Sequence, residues 1–201
     1  MSRGELDVEI KIITSNKHKY EEASRILKEY GIKTKWINFS IPELQADNAL
    51  DILVEKMSRA IEIFNPPFVI EDTALHIHAL NGFPGPYASY VYKTIGLDSI
   101  LKLMNGVKDR RAKFIAYGGL ALSNTIFKVF KGELNGVIAY EKRGNYGFGY
   151  DPIFIPEGMN VTLAELTIEE KNKISHRGKL FRAIAEYLTS EGIELIRKLN
   201  E

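Results

Sequence analysis

Four sets of residues in this sequence have the types and spacing to do chemistry. The densest is Gly147-Phe148-Gly149-Tyr150-Asp151-Pro152, which puts two aromatics, a carboxylate and two glycines in six residues and closes on proline. A planar heterocycle needs a π-face to stack on, a polar edge to be read, and backbone that lets it come close. Phe148 or Tyr150 offers the face and Asp151 the edge, while Gly147 and Gly149 carry no side chain to block approach. Taken alone, the segment reads more simply as an aromatic-rich turn that closes a strand pair and is stiffened at its exit by Pro152.

The second set is Thr14-Ser15-Asn16-Lys17-His18-Lys19, where an apolar strand runs into a helix. Free backbone N–H groups and the positive end of the helix dipole meet at such a point and suit an anion, to which Lys19 adds a full charge. The glycines and the Gly-Lys-Ser/Thr ending of a P-loop are missing. A capped helix with a solvated basic first turn is the plain alternative, although cations there oppose the dipole. The third set is Glu43, Glu71 and Asp72. Glu71 and Asp72 follow the apolar Phe68-Val69-Ile70, and neighbouring strand residues face opposite sides, so the two acids are expected to do different jobs. Hard oxygen ligands suit magnesium, and one acid can take a proton from an attacking water. Two solvated acids at a strand end would look the same. The fourth set is Lys171 with Ser175-His176-Arg177, a run of donors suited to carbonyl or phosphate oxygens, or else a helix end whose cations favour its dipole. Lys56, alone in an apolar helix, reads as a lysine that snorkels to solvent. His76 and His78 share one strand face, and without an evident third ligand they read as polar strand or loop residues.

The elements that must hold these residues follow from periodicity. Val8–Ile13 reads as a short buried strand, 17–30 as a helix ended by Gly31, and 33–38 as a second strand. A helix is expected over 48–64, stopped by Asn65-Pro66-Pro67, then a short strand at 68–70 that runs into the acid pair. A Gly/Pro-rich loop at 81–86 precedes helical segments over 88–104. Strands at 113–122 and 126–132 flank the turn Ser123-Asn124-Thr125, and a further strand is expected at 136–142. Thr167-Ile168-Glu169-Glu170 fits a capping box, and a last helix runs from about Lys179, with an interruption at Gly192. Strand–helix–strand followed by hairpins makes this an α/β chain with a mixed sheet and helices on its faces.

At 201 residues the chain suits one large domain or two interlocked lobes. Its formal net charge of +1 provides no global basic field for nucleic acid, so an anionic ligand must be held by local cations. The absence of cysteine excludes disulfides, thiolate nucleophiles and cysteine-ligated metals. No apolar run approaches the ~20 residues of a membrane span, and Met1–Glu5 lacks a signal-peptide stretch, so a cytoplasmic protein is the expectation.

The segments T-S-N-K-H-K, P-E-L-Q, the lysine of V-E-K-M, E-D-T-A-L, G-F-P-G-P-Y, G-F-G-Y-D-P-I-F and E-K-N-K-I-S-H-R occur in an order that resembles the inosine triphosphate pyrophosphatase (Ham1-like) family. The resemblance spans 14–177. It implies magnesium-dependent hydrolysis of ITP, dITP and XTP to the monophosphate and pyrophosphate. It also implies a single two-lobed domain over 1–201, an elongated mixed sheet with flanking helices around a central cleft, and a homodimer that engages neither nucleic acid nor membrane. Residue by residue, it implies substrate contacts from Thr14, Ser15, Asn16, Lys19, Lys56 and Thr73, with Asn16, Lys19 and Lys56 on the triphosphate. Glu43 and Asp72 would serve the metal and the water, with Asp72 as general base. Phe148 would stack on the purine, with Gly149, Tyr150 and Asp151 beside the base or sugar and Tyr150 packed inward. Lys171, Ser175, His176 and Arg177 would read the base. Two positions depart from the family pattern: Ser15 stands where Gly is usual, and Ala74 where Gly is frequent. Both leave substrate fit, more than reaction type, open. A Maf-type pyrophosphatase with another base preference and a nucleotide-binding regulator that does not hydrolyse are the competing readings.

Overall fold

A computed structural model describes residues 8–42 and 44–199. The buried Ile10, Ile12 and Ile13 form the first strand, β1 (Glu9–Ile13). Asn16 caps α1 (Lys17–Glu29), whose buried stripe is Glu22, Ala23, Ile26 and Leu27. Gly31, at φ +75°, reverses the chain into β2 (Lys33–Ile37), which pairs parallel with β1. α2 (Ala49–Ile63) begins with the Asn48 side chain accepting the Leu50 amide and ends before the two prolines.

The next strand is longer than expected. β3 (Phe68–Ile77) continues through Glu71 and Asp72 for five further residues. It pairs antiparallel with the short β4 (Pro84–Gly85) and, along its whole length, with β5 (Arg111–Ala121). The helices α3 (Ala88–Thr94) and α4 (Gly96–Leu103) lie between β4 and β5 in the chain. β5 pairs with β6 (Phe127–Ile138), and β6 with β7 (Phe154–Pro156).

The two strands expected at 126–132 and 136–142 are one strand, β6, and the chain leaves the sheet after Ile138. Its glycines look like breaks in the sequence but serve close packing. A Cβ on Gly132 would sit 2.0 Å from the His176 carbonyl oxygen, and one on Gly136 would sit 2.2 Å from that of Ile155.

The expected capping box opens α5 (Ile168–Ile174): Thr167 Oγ1 accepts the Glu170 amide at 3.3 Å, and Glu170 Oε2 accepts the Thr167 amide at 2.8 Å. α6 (His176–Tyr187) starts three residues before Lys179, because Ser175 caps it. A π-helical turn at Leu188–Gly192 marks the expected interruption before α7 (Ile193–Leu199).

The sheet order is β2-β1-β3-β5-β6-β7, with β4 beside β3. At the β1 end, two cores lie on opposite faces. Ile10, Ile12 and Val69 meet α1 and α6, while Ile13, Phe68 and Ile70 meet α2. A third core, around Leu75, Ile77, Val91, Ile100, Phe114, Leu134 and Phe154, fills the far end. The strand β3 passes from the first two cores into the third. It pairs with β1 only at Phe68 and Val69, and with β4 only at Leu75 and His76. Over 70–74, among the described residues, it has β5 on one side and no strand on the other. That opening holds the acid pair.

Candidate active site

A cavity of about 730 Å³ opens where β3 lacks its second neighbour. Its wall carries Thr14, Ser15, Asn16 and Lys19 from the start of α1, Lys56 from α2, and Glu71, Asp72 and Thr73 from β3. Phe148, Gly149, Tyr150 and Asp151 face them, together with His176 and Arg177. The volume lies within the range of small-molecule sites. Glu43 lies outside the described residues. Lys171 and Ser175 stand behind the wall rather than on it.

The start of α1 differs from the expectation of free amides. Asn16 Oδ1 accepts the amides of His18 at 3.0 Å and Lys19 at 3.4 Å, so those two donors are satisfied within the helix. The Asn16 carboxamide still has its Nδ2 donors to offer. Thr14 Oγ1 accepts the Asn16 amide at 3.1 Å, and Trp36 Nε1 donates to the Thr14 carbonyl at 2.8 Å. This loop is therefore fixed from both sides.

The two acids separate as strand geometry requires. Glu71 accepts two hydrogen bonds from Arg177, at 2.8 and 2.9 Å, and lies 3.5 Å from Lys19 Nζ. Burial alone would raise the Glu71 carboxyl, but the charges of Arg177 and Lys19 outweigh burial and hold it well below the usual carboxylate range. Asp72 has Lys56 Nζ 3.8 Å from Oδ2 and accepts the Thr73 amide on Oδ1 at 3.1 Å. Lys56 does not snorkel. It is 7% exposed and points from α2 across the opening toward Asp72.

Beneath the aromatic segment lies a buried ionic network that includes a residue the sequence reading missed. Glu22 of α1 is 3% exposed, accepts Lys171 Nζ at 2.6 Å and accepts Arg177 Nη1 at 2.7 Å. Burial raises its carboxyl, while Arg177 and Lys171 lower it and prevail. The available signal was position: Glu22 adjoins Ala23 and precedes Ile26 by one turn, on the face that must be buried. Asp151 Oδ2 accepts both Lys171 Nζ and the Phe148 amide, the latter at 2.8 Å. Burial, reinforced by Glu22 and opposed by Lys171, lifts the Asp151 carboxyl above its ordinary range. Asp151 thereby holds the backbone that presents Phe148. Gly147, at φ +72°, is required here because a Cβ would fall 2.1 Å from Asp151 Oδ2. Its role is to admit the carboxylate rather than a ligand. Gly149, at φ +61°, has open space around it.

The donor series is largely committed to the protein itself. Arg177 spends four of its five N–H groups on Glu71, Glu22 and Thr73, which leaves one Nη1 hydrogen. Ser175 Oγ accepts the Gly178 amide at 2.9 Å as the cap of α6. Tyr150 packs inward, donating its hydroxyl to the Ala88 carbonyl at 2.9 Å. Burial, with Tyr92 beside it, pushes the Tyr150 phenol up. His176 is 3% exposed and stacks on Phe114 at 4.5 Å, and among the described residues its Nδ1 has no hydrogen-bond partner. A buried unpartnered nitrogen on a cavity wall is poised for a ligand.

Burial first, then Arg177, hold the His176 imidazole well below its ordinary 6.5. The unfolded chain takes up a proton as pH falls below that value, while the folded chain does not. Stability therefore falls with pH through this window, by up to about 1.4 kcal/mol per pH unit. The His176→Gln variant is expected to lose less stability than the parent between pH 7 and 5. Urea midpoints across that range check this, and equal slopes would refute it.

The chain is similar to known proteins over most of its length. The model of the Ham1 family matches residues 10–187. A Pyrococcus horikoshii protein named dITP/XTP pyrophosphatase is 48% identical over 181 residues, covering 90% of this chain and 97% of its own. One of the same name from Methanopyrus kandleri is 48% identical over 174 residues, covering 87% and 93%. Among solved structures, the Staphylococcus aureus Ham1 protein superposes with a TM-score of 0.74 at 28% identity, covering 90% of this chain and 99% of its own.

Proposed function

The chain belongs to the Ham1 family, and from that premise we propose that it hydrolyses dITP, ITP and XTP to the monophosphate and pyrophosphate. One observation carries the reading: a single cavity joins the Asn16–Lys19 helix start, the Asp72–Lys56 pair and the Phe148 platform. A nucleotide laid along it would set its triphosphate against the cations, its α-phosphate near Asp72 and its base on Phe148. Asp72 would take the proton of the attacking water, and Lys19 and Lys56 would offset charge on the departing pyrophosphate.

Pyrophosphatases of this family are metal-dependent. Among the described residues no three acids or histidines form a ready cage. Asp72 alone, with substrate phosphates and water, still makes the hard-oxygen donor set that magnesium favours. Asp72, and Glu43 from outside the described residues, would hold the ion. Bound there, magnesium supplies charge neutralisation for the phosphate oxygens.

Base selection follows from the donors left over. The spare Arg177 hydrogen suits the carbonyl that inosine and xanthosine carry at C6, while an adenine amine would meet donor with donor. With this reading go a single two-lobed domain and a cytoplasmic homodimer. None of the described helices is long and apolar enough to cross a membrane.

A panel of ITP, XTP, GTP, dTTP and ATP with magnesium, with the products identified, tests the assignment. Pyrophosphate from ITP and XTP is the expected result, and orthophosphate alone would overturn it. Turnover of dTTP in preference to ITP would favour a Maf-type activity. Binding of ITP without any product would leave a regulator.

A further inference from the structure

His18 sits in the first turn of α1 and has no part in the reaction described above. Its amide is tied to Asn16 Oδ1, so its backbone is fixed beside the loop that would hold the phosphates. Its side chain is 61% exposed, and its ring lies parallel to that of Phe148, with centroids 5.3 Å apart and planes inclined by 14°. The Phe148 ring also has Lys171 Nζ 4.7 Å and Arg177 Cζ 5.4 Å from its centroid, and both cations are buried. Two buried cations and one exposed imidazole therefore pack against the Phe148 ring.

We propose that His18 is the second wall of the base site, so that a purine is held between the imidazole and Phe148. This rests on the nucleotide reading of the cavity. A flat ring inserted between two others needs their planes about 7 Å apart, two van der Waals layers. The present gap between planes is no more than the 5.3 Å between centroids, so the two walls must part by at least ~2 Å. An exposed side chain can swing that far without desolvating a polar group, and the neighbouring Glu21, with Oε2 3.9 Å from His18 Nδ1, is itself 40% exposed. Displacing the imidazole would exchange one stack for another, whereas insertion gives the base two faces. The ligand class follows: a purine, whose fused rings overlap both walls, in preference to a pyrimidine.

The experiment measures dissociation constants for IMP and for pyrophosphate in the parent, His18→Ala and His18→Phe, together with kcat and KM on ITP. IMP contains no anhydride to hydrolyse, so its binding reads the base wall independently of catalysis. His18→Ala should weaken IMP about tenfold and raise KM for ITP similarly, with kcat within about threefold. His18→Phe should restore IMP affinity, and pyrophosphate should bind all three alike. Unchanged or tighter IMP binding in His18→Ala would overturn the proposal, leaving the imidazole as a cover that the base displaces. An equal loss of pyrophosphate affinity would also overturn it, since the residue would then serve the helix start. If the parent binds IMP but does not hydrolyse ITP, the catalytic reading fails while the base wall is still decided by IMP. If the parent does not bind IMP, the base wall fails, while the products from ITP still decide the catalytic reading.

Discussion

Asp72→Asn is expected to lower kcat for ITP by about 10²–10⁴-fold, the range that a positioned general base contributes. The substitution keeps the shape of the side chain and can still accept the Thr73 amide, which now reaches Asp72 Oδ1 at 3.1 Å. What it removes is the negative charge 3.8 Å from Lys56 Nζ and the oxygen able to take a proton from water. Nucleotide affinity should change less than tenfold, because the base platform and the α1 cations are untouched. Single-turnover kinetics alongside ITP titration separate the two effects, and a thermal melt confirms the fold. Turnover within a few-fold of the parent would remove Asp72 from the role and direct attention to Glu43.

Arg177→Met should have the largest effect on stability. It strips the paired guanidinium from Glu71 and Glu22, whose side chains are 6% and 3% exposed. Breaking a buried pair by removing one partner costs about 3–5 kcal/mol, which for a chain of this size lowers Tm by roughly 6–20 °C. The sign with pH follows from the Glu71 carboxyl, which the parent holds well below its ordinary 4.5. That stabilisation is fully present above 4.5 and fades as pH falls toward the folded value. The gap between parent and variant should therefore be widest near neutrality and narrow in acid. Adding Glu71→Gln should recover part of the loss, because it removes the charge left without its partner. A pH-independent difference below about 1 kcal/mol would refute this account, since surface pairs behave that way.

How much of this was legible depended on whether the cause was local. The 3.6-residue spacing of Ala23, Ile26 and Leu27 revealed α1, and Thr167 with Glu170 marked the start of α5, because both signals lie within a few residues. The extension of β3 beyond Asp72 was illegible because Glu71, Asp72 and Thr73 are too polar for a buried strand. They are accommodated where the sheet leaves them one neighbour, with Arg177, Lys19 and Lys56 to meet them. Gly132 and Gly136 misled for a similar reason: their constraint is backbone more than twenty residues away in one case and nineteen in the other. The candidate residues were named largely from a family's order of motifs. Their division of labour was not legible, since it needed the structure to show that Lys171 and Ser175 support the wall, and that Glu22 neutralises cations on two other helices.

The strands β3, β5 and β6 carry mechanical meaning. Each contributes side chains to cores on both sides of the opening: Val69 and Leu75 from β3, Leu120 and Phe114 from β5, Phe130 and Leu134 from β6. β5 is paired along its full length with β6 on one side and, over Ala112–Ala121, with β3 on the other. The two banks of the cavity are therefore joined by a stiff three-stranded beam rather than by a loop. Swinging them apart as rigid bodies would shear ladders and both cores at once, so what flexibility remains belongs to twisting of the beam and to side chains at the rim. In such a frame the backbone span of the cleft stays constant, and adjustment to a ligand falls to rim side chains such as His18, which is 61% exposed.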